Sequence, residues 1–437
     1  MRKNKNWAIP AVLLGGSLFL SINNGHAAGF ALIEQSASGM GKAFAGMAAS
    51  TEDASAMFYN PAAIGHLKGS QSTVAGHYIK PSSKFTNNGS VLADGSTPLT
   101  GGNGGDAGVP AFVPNAYYKS DLNHEVVFGV GLNVPFGLAT SYDPGWVGRY
   151  HAQLSDLTTI AVSPTIALKS SERFAFGGSL VFQYAEATLS NRVDYGSICC
   201  GPAPQTLDGS VSLTGDDVGF GIALGGLVNT GTTRFGASYR SGISHELEGE
   251  AKFITPQAAA TVLNTEVSRT EKATAELHLP ETFSFSYERD VSSSLAVMAD
   301  VTLTKWSSFK ELAVDFENPN QADTHQPEEW EDSWRYALGM VYRVGGRMKL
   351  RAGVAYDETP IPSAELRTAR IAGSDRTWAS LGLGYRFNNT MSVDVGYSHL
   401  MLEKAKINNK DELTSSTLKG EYSATVDIVS AQLNMSY

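Results

Sequence analysis

Few side chains in this sequence are spaced for catalysis. A serine esterase with a strand-to-helix nucleophile turn carries Gly-x-Ser-x-Gly, and the 437 residues contain no such segment. The zinc-binding pattern His-Glu-x-x-His is also absent, and no histidine stands two residues before a serine. The segment Gly39-Met40-Gly41-Lys42 lacks the leading strand and the spacing of a phosphate-binding loop. We therefore predict that the chain is not an enzyme and has no catalytic residues.

Two further groups of polar residues could bind ions or react. The acidic segment 315–332 holds seven carboxylates and no Lys or Arg, so it could ligate Ca²⁺ or could be a solvated loop. Cys199 and Cys200 are adjacent and cannot join distant segments, although they could form a strained ring or stay reduced. We assign the cysteine pair no function, and we predict no metal ion and no cofactor.

The composition excludes several classes of protein. Charged residues make up 17% of the chain, apolar residues 42% and aromatic residues 10%, with 2 Cys. A disordered chain would carry more charge and fewer aromatic residues, and a disulfide scaffold would carry far more Cys. A polytopic helical membrane protein would need several apolar runs of roughly 20 residues, and the only candidate lies at the start of the chain. The net charge of −10 offers no basic surface for nucleic acid, so we predict no nucleic-acid partner.

Residues 1–27 are typical of a secretory signal peptide. A basic start is followed by the uncharged apolar stretch 7–22, and then by small residues at Gly25 and Ala27 that suit a cleavage site. The alternative is a membrane anchor, but Pro10, Gly15 and Gly16 interrupt the apolar stretch. Cleavage after Ala27 would leave a mature chain of net charge −13, since 33 − 3 basic residues face 43 acidic ones.

Beyond the leader, apolar and polar residues alternate in stretches of about ten residues, which is the pattern of a transmembrane β-barrel. At the C-terminus, for example, Val429, Ala431, Leu433, Met435 and Tyr437 share one face. Short polar turns are expected near 119–124, 169–173, 229–233, 288–293, 344–347 and 387–390. Long loops are expected near 83–110, 138–156, 190–216, 247–279, 308–332, 357–375 and 403–421. Six turns and seven loops predict an all-β fold, a fourteen-stranded antiparallel transmembrane β-barrel over residues 69–437 with both termini in the periplasm.

The alternation of inward and outward side chains along each strand also identifies candidate binding residues. Arg240, Arg335 and Arg376 fall on the inward face of the upper half of the barrel. A guanidinium group holds a carboxylate through paired hydrogen bonds, so these three residues are predicted to bind an acidic ligand. The alternative is that they are solvated lumen arginines that pair with Asp side chains. An uncharged hydrocarbon would need no such cation.

Residues 28–68 do not alternate and are rich in Ala, Gly, Ser and Met. Within them, Asn60 would cap a one-turn helix whose first residue is Pro61, followed by Ala62, and which ends at Gly65. Fourteen strands enclose a lumen too wide for barrel side chains to fill. We therefore predict that 28–68 is a small helical plug in the lumen; the alternative is a flexible periplasmic tail.

The third predicted strand contains a break. Val126, Phe128, Val130 and Leu132 would face lipid, and Val134-Pro135-Phe136-Gly137 follows. Proline lacks an N–H group and is confined to strand ends, edges and bulges. The segment is therefore either an opening in the barrel wall or the end of the strand at the outer rim.

These features resemble the FadL family of outer-membrane transporters for long-chain fatty acids and other hydrophobic compounds. The plug carries Gly29-Phe30, the stretch 38–46 and Asn60-Pro61-Ala62, which look like the N-terminal hatch of that family. The resemblance continues in order through 135–138, 279–281, 304–307, 356–362 and Asp375-Arg376-Thr377-Trp378. Two departures are the cysteine pair and a short loop at 138–156, where better-known members carry helices that collect ligand outside.

The resemblance implies passive uptake of long-chain fatty acids across the bacterial outer membrane. Ligand would enter a lumen pocket near Gly29 and Phe30, displace part of the plug and leave through the wall at the kink 134–137. No nucleotide or metal is implied; we expect a monomer whose partners are hydrophobic ligands, outer-membrane lipid and lipopolysaccharide. The alternatives are uptake of aromatic hydrocarbons by the same mechanism, a barrel esterase and a structural porin.

Overall fold

A computed structural model of the protein describes residues 29–199, 204–411 and 414–437. The predicted signal peptide, 1–27, lies outside the described residues, as does Cys200. Cys199 is disulfide-bonded. Within the part of the chain that the structure describes, no helix is long and apolar enough to cross a membrane.

The described residues form one closed antiparallel barrel of fourteen strands, which confirms the predicted fold class. Several strands consist of two segments separated by a short break. The strands are β1 (Gln71–Asn87), β2 (Ala111–Asp121), β3 (Val126–Asn133 and Gly137–Ser141), β4 (Leu154–Lys169), β5 (Phe174–Asp194), β6 (Asp208–Asn229), β7 (Thr233–Arg240 and Ile243–Ile254), β8 (Ser268–Leu279 and Thr282–Asp290), β9 (Leu295–Thr304 and Glu311–Phe316), β10 (Thr324–Pro327 and Ser333–Val344), β11 (Met348–Asp357), β12 (Arg376–Arg386), β13 (Met391–Leu402 and Ala405–Lys410) and β14 (Thr417–Ser436).

The first strand pairs with the last along its whole length and closes the barrel, from Gln71↔Ser436 to Asn87↔Gly420. Closure removes the two edges that an open sheet would expose to lipid, where unpaired backbone groups are costly. The six short turns fall where the sequence predicts them. The two termini of the barrel therefore lie at the same end, next to the short turns.

The alternation that predicted the strands separates a lipid-facing side from a lumen side. In β6, Val218, Phe220 and Ile222 are exposed on the outer surface, whereas Gly219 and Ala223 are buried toward the lumen. The outer residues can be large because they meet only lipid chains. The inner ones must be small where the plug approaches the wall.

Four of the predicted long loops are wrong in extent, because much of each is strand. β5 and β6 stay paired up to Asp194↔Asp208, and β7 and β8 stay paired up to Ile254↔Ser268. Segments Glu311–Phe316 and Thr324–Pro327 form a further hairpin within 308–332, and Ala405–Lys410 extends β13 into 403–421. Above the membrane the outer face no longer needs apolar residues, so the alternation fades while backbone pairing continues.

Residues 29–68 fill the lumen with short helices, so the alternative of a free periplasmic tail is wrong. The plug contains α1 (Ala37–Met40), a 3₁₀ turn at Met47–Ala49, α2 (Ala56–Tyr59) and a 3₁₀ turn at Pro61–His66. The remaining helices are α3 (Tyr195–Ile198), α4 (Gln257–Leu263) and the 3₁₀ turn Trp306–Ser308 in β9. Met40, Phe44 and Met47 of the plug pack against Met298 and Trp378 of the wall.

Asn60 fastens the plug to the wall and also caps the last plug turn. Its Oδ1 atom accepts a hydrogen bond from Ala62 N at 2.9 Å, as the sequence predicts for an N-cap. Its Nδ2 atom donates to Ala48 O at 2.6 Å within the plug and to Gly226 O at 3.0 Å on β6. A Cβ atom on Gly225 would lie 1.9 Å from Asn60 Oδ1, so this approach requires glycine there.

A buried ionic contact also holds the plug. Glu52 of the plug accepts from Lys349 Nζ at 2.6 Å and from the guanidinium group of Arg351 on β11. Arg351 also pairs with Asp394 of β13 at 2.8 Å and is almost fully buried. Removal of one member would leave an uncompensated buried charge, which is strongly destabilising.

We predict that Asn60→Ala loosens the plug. The change removes the helix cap and two hydrogen bonds to carbonyl groups, so the free energy of unfolding in detergent should fall by on the order of 2 kcal/mol. Cells carrying the variant should admit large antibiotics more readily. Asn88→Ala, at an exposed site, serves as the control. Wild-type stability together with wild-type antibiotic resistance would contradict the role given to Asn60.

Candidate functional site

An apolar cavity lies in the upper lumen, between the plug and strands β3 to β9. The space between its lining residues measures ≈ 810 Å³, including the part that is open to solvent. Most of its wall is aliphatic, and each of the strands involved contributes at least one such side chain near its extracellular end. The aliphatic wall includes Leu138, Leu157, Leu189, Leu247, Leu277 and Val314.

Phe30 of the plug forms one side of this cavity and belongs to a buried aromatic cluster. Its ring centroid lies 4.9 Å from that of Trp306, 5.7 Å from Phe309, 5.8 Å from Trp330 and 6.1 Å from Phe136. A Cβ atom on the preceding Gly29 would lie 2.4 Å from the Trp330 ring, so only glycine allows this packing. The structure thus places Phe30 at the cavity and packs Gly29 against Trp330 and Trp306, while the contact of both residues with ligand stays a prediction.

Arg370 is the cation of the cavity, and the sequence did not indicate it. The residue belongs to the loop between β11 and β12, which folds back into the barrel mouth. Its guanidinium group lies 3.2 Å from Ser155 Oγ and 3.3 Å from Asn191 Oδ1. Among the described residues no carboxylate lies within ion-pair distance of it. Burial lowers the pKa of Arg370 to about 10, so the group stays charged at neutral pH.

Glu328, on the same cavity, is an acid that burial keeps neutral. The side chain is 1% exposed, and Trp330 Nε1 donates to its Oε2 atom at 2.9 Å. Burial raises the pKa of Glu328 to about 8. At neutral pH most Glu328 side chains are therefore protonated, and Arg370 keeps its positive charge beside a neutral neighbour.

The three arginines predicted from parity do face the lumen, but none lines the cavity. Arg240 donates to Phe58 O at 2.8 Å and lies over the Phe58 ring. Arg335 donates to Ala43 O at 2.7 Å, and Arg376 pairs with Asp357 at 3.0 Å. The alternation of inward and outward residues correctly predicted that these arginines face the lumen. It could not indicate that acceptor groups of the plug and of neighbouring strands would take up their hydrogen bonds.

Arg335 differs from the other two because part of its hydrogen-bonding capacity is unused. Its Nε and Nη1 atoms are buried without a partner among the described residues, and so is Nε1 of Trp378. The guanidinium carbon lies 5.4 Å from the Trp378 ring centre. Unpaired buried donors are costly, and an acceptor group that reached them would relieve that cost.

The predicted break in β3 is real, and the strand does not end at the rim. β3 pairs with β4 up to Asn133↔Ala161 and resumes at Gly137↔Thr158. Between these two pairs the chain advances by four residues in β3 and by three in β4. The extra residue in β3 makes the break a β-bulge. Thr159 of β4 bridges the break, because its Oγ1 atom accepts from Phe136 N at 2.9 Å.

On the other side of the break, β3 loses its partner. Pairing of β2 with β3 ends at Ala116↔Leu132, so Ala111–Asn115 of β2 pairs only with β1. Contact with β3 is regained higher up, at the bridge Gly108↔Thr140. The barrel wall therefore has a window between β2 and β3, within the membrane-spanning part of the barrel.

The plug covers this window from the lumen. Leu32 N donates to Pro135 O at 2.8 Å, and Gly137 N donates to Phe30 O at 3.0 Å, so residues 30–32 replace a neighbouring strand. Gln35 completes the cover: its Nε2 atom donates to Val134 O at 2.7 Å, and its Oε1 atom accepts from Asn115 Nδ2 at 2.5 Å. The role of Gln35 could not be predicted from the sequence, because it is a single polar residue in a segment without periodic alternation.

No metal centre is evident in the described ranges, where no group of three or more His, Cys, Asp or Glu side chains could hold an ion. The carboxylates of 315–332 are divided between the hairpin strands and the links around them. Glu328 faces the cavity, whereas Asp332 pairs with Lys305.

A closed, plugged barrel with an internal apolar cavity and a covered window defines a transport barrel of the bacterial outer membrane. The chain matches the model of the family described as "Outer membrane protein transport protein (OMPP1/FadL/TodX)" over residues 19–437. It therefore belongs to this family, as the sequence motifs indicated.

Relatives in other bacteria match over nearly their full length. The 47 kDa outer membrane protein of Pasteurella multocida is 31% identical over 407 residues, 90% of this chain and 91% of that protein. The long-chain fatty acid transport protein of Escherichia coli strain K12 is 28% identical over 413 residues, 87% of this chain and 89% of that protein.

Among solved structures, the crystal structure of a Pseudomonas aeruginosa FadL homologue has a TM-score of 0.87 at 24% identity, covering 94% of this chain and all of that one. The toluene transporter TodX of Pseudomonas putida has a TM-score of 0.67 at 17% identity, covering 88% and 94%. At these identities the likeness shows the fold alone.

We predict that Gln35→Ala uncovers the window from the lumen side. The change leaves Val134 O and Asn115 without this partner, and each buried unpaired group costs about 1–3 kcal/mol. The variant should lose stability and leak small apolar dyes from the lumen into detergent or lipid. Gln71→Ala, at the periplasmic start of β1, is the control. A variant as stable and as tight as wild type would contradict the role of Gln35.

Proposed function

We propose that this protein imports long-chain fatty acids passively across the bacterial outer membrane. The supporting observation is the largely aliphatic wall of the cavity together with the charged Arg370 among its lining residues. Burial of an alkyl chain gains roughly 0.8 kcal/mol for each CH₂ group. A guanidinium group beside it supplies paired hydrogen bonds for the carboxylate. The relatives named as fatty acid transporters support the same substrate class.

In the proposed route, the ligand's head group meets Arg370 first, because the loop between β11 and β12 closes the outer end of the cavity. The alkyl chain then packs among the leucines and against Phe30. Arg240, Arg335 and Arg376 remain predicted carboxylate contacts below this point. Of these, Arg335 is the strongest candidate, because two of its N–H groups have no partner in the described chain.

The exit follows from the contacts of Phe30. Its carbonyl group and Leu32 N hold the plug against β3 at the window. A ligand that displaces Phe30 would break these same hydrogen bonds and uncover the window, through which an apolar molecule could pass into the membrane. Movement down a concentration gradient needs no nucleotide, and no step requires a catalytic side chain.

Uptake of aromatic hydrocarbons is the second candidate function. The observation in its favour is the cluster of four aromatic rings around Phe30, which suits a flat apolar ligand. A relative in structure, TodX, is named a toluene transporter. The two candidates differ in their need for a cation, so charge removal separates them.

We predict that Arg370→Met weakens oleate binding by ~1.5–3 kcal/mol, which is the range for a hydrogen bond to a charged group. Binding of oleyl alcohol should change little, since the variant keeps most of the bulk. Isothermal titration in detergent measures both ligands, with Arg347→Met in a periplasmic turn as the control. An equal loss for both ligands, or no loss for either, would favour the hydrocarbon alternative.

Glu328 predicts a pH dependence for the same site. As the pH rises through about 8, Glu328 ionises and repels a neighbouring carboxylate, so oleate affinity should fall. Below that pH the side chain is neutral and the affinity should be constant. Glu328→Gln cannot ionise, so its oleate affinity should match wild type near neutral pH and stay flat as the pH rises. The same decline in both proteins would rule out Glu328 as its cause.

Deletion of Pro135 tests the lateral exit. The deletion removes the extra residue of β3, so pairing with β2 and β4 can continue through the break. The variant should insert, resist heat at least as well as wild type and bind oleate, yet lose fatty-acid uptake. Pro135→Ala keeps the extra residue and should keep most of the uptake. Normal uptake by a correctly inserted deletion variant would mean that ligand leaves by another route.

A further inference from the structure

The lysines of this acidic protein are unevenly distributed. Six of the 17 lysines in the sequence belong to three neighbouring strands, β13, β14 and β1, or to the short link within β13. All six side chains are exposed. We call them the lysine patch: Lys80, Lys84, Lys404, Lys406, Lys410 and Lys419.

Register joins these residues into one surface. Lys84 of β1 is opposite Ser423 of β14, and Lys406 of β13 is opposite Glu421. Lys419 of β14 is opposite Asn408 of β13. Neighbouring strands lie roughly 4.8 Å apart and successive residues rise by roughly 3.4 Å, so Lys84, Lys406 and Lys419 lie within about 15 Å of one another, and their long side chains can reach a common ligand.

The patch lies at the outer edge of the lipid-facing band. Below it, toward the periplasm, the exposed residues of the same strands are apolar or aromatic, and include Tyr78, Tyr397, Met401 and Val429. Lys80, opposite Asp427, marks the boundary between the two zones. Charged residues just beyond an apolar and aromatic band are at the level of the lipid head groups.

Few carboxylates pair with the patch. The outward acidic residues of these strands and of their link are Glu403, Glu421 and Asp427, and Asp106 of the loop between β1 and β2 forms an isolated β-bridge with Lys84. Glu421 pairs with Lys404 at 2.7 Å, and Asp427 is held by His399 at 2.8 Å and by Tyr397 at 2.7 Å. In the described ranges, the other five lysines have no carboxylate within ion-pair distance.

The opposite side of the barrel has the reverse charge. Strands β5 to β8 expose a contiguous acidic group, in which Glu186 is opposite Asp216, Asp216 opposite Glu248, and Glu246 opposite Glu276. The lysine patch is therefore a local feature of an otherwise acidic surface, and the net charge of −10 does not account for it.

We propose that the lysine patch binds the phosphate groups of lipopolysaccharide in the outer leaflet. Clusters of four to eight basic residues at a membrane surface bind anionic lipid head groups, and lysine is a common point-charge partner of phosphate. The alkyl parts of the lysine side chains can lie along the acyl region while the ammonium groups meet the phosphates. This inference depends on the outer-membrane location and not on the transported ligand.

The test compares two triple variants that remove the same charge. Lys84→Gln/Lys406→Gln/Lys419→Gln removes half of the patch, whereas Lys252→Gln/Lys272→Gln/Lys310→Gln removes three exposed lysines of β7 to β9. Native mass spectrometry of the purified full-length proteins measures binding of bisphosphorylated lipid A and of dephosphorylated lipid A. A chelator is present throughout, so that acidic surfaces cannot hold phosphate through divalent cations.

Each lysine near an anionic lipid surface contributes roughly a factor of five in affinity. The patch variant should therefore bind bisphosphorylated lipid A on the order of a hundredfold more weakly than wild type, and the control variant should bind normally. Wild type should bind dephosphorylated lipid A at least as weakly as the patch variant binds the phosphorylated form, because the variant keeps three of the six lysines. Equal affinities of the three proteins for phosphorylated lipid A would overturn the proposal, as would equal affinity of wild type for the two lipids.

The comparison of the two lipids needs no variant, so it decides the matter even if a variant fails to insert. Oleate binding of both variants checks that the barrel is intact.

Discussion

The constraint on which the rest of this structure depends is that lipid offers no hydrogen bonds to a peptide backbone. Fourteen strands closed by β1 and β14 satisfy nearly every backbone group through neighbouring strands. The break in β3 is an exception to this pairing that can exist only because something else supplies partners. Residues 30–32 and Gln35 of the plug do so from the lumen side, and Thr159 does so from β4. The plug is thus part of the wall at the window, and any movement of Phe30 is coupled to the integrity of the barrel.

A barrel of this width also has an interior that its own side chains cannot fill, and the plug resolves this in two different ways. Along its lower part the packing is close: Gly225 admits Asn60, and Arg351 and Lys349 hold Glu52. Around Phe30 the packing is aromatic and leaves an apolar cavity that is also lined by Arg370 and Ile371 of the loop between β11 and β12. Polar anchors hold the part of the plug that is far from the cavity, whereas the part around Phe30 is held by aromatic packing and by the hydrogen bonds at the window.

Charge is arranged differently on the inside and the outside of the wall. Inside, arginines are mostly engaged by plug carbonyl groups or by carboxylates, whereas Arg335 has two buried N–H groups without a partner among the described residues. Outside, an acidic sector on β5 to β8 is opposite a basic one on β13, β14 and β1. The two outer sectors lie beyond the apolar band, where charged groups remain hydrated and are inexpensive to place. Residues that face the lumen and residues that face the surrounding lipid lie on opposite sides of the wall. The charge on one side can therefore change without changing the other.

The sequence by itself determined the elements that have a local or periodic cause. Lipid on one side and a filled lumen on the other force period-two alternation, as at Val218, Phe220 and Ile222, so strand number and topology could be predicted. Asn60-Pro61 and Pro135 have conformational preferences that do not depend on distant residues, so the plug turn and the break in β3 were predictable too. The extents of the long loops were not, because above the membrane β7 and β8 stay paired without an apolar face.

Only the tertiary structure decided which residues meet. Parity placed Arg240, Arg335 and Arg376 on the lumen side but could not reveal the carbonyl groups and carboxylates that engage them. Gln35 and Arg370 lie in segments without periodicity, so nothing in the sequence relates Gln35 to Val134 or Arg370 to the cavity. Lys84 and Lys419 are at opposite ends of the chain and become neighbours only because β1 pairs with β14. Contacts of this kind depend on closure of the barrel and on the fit of the plug, which are properties of the whole chain and not of any segment in it.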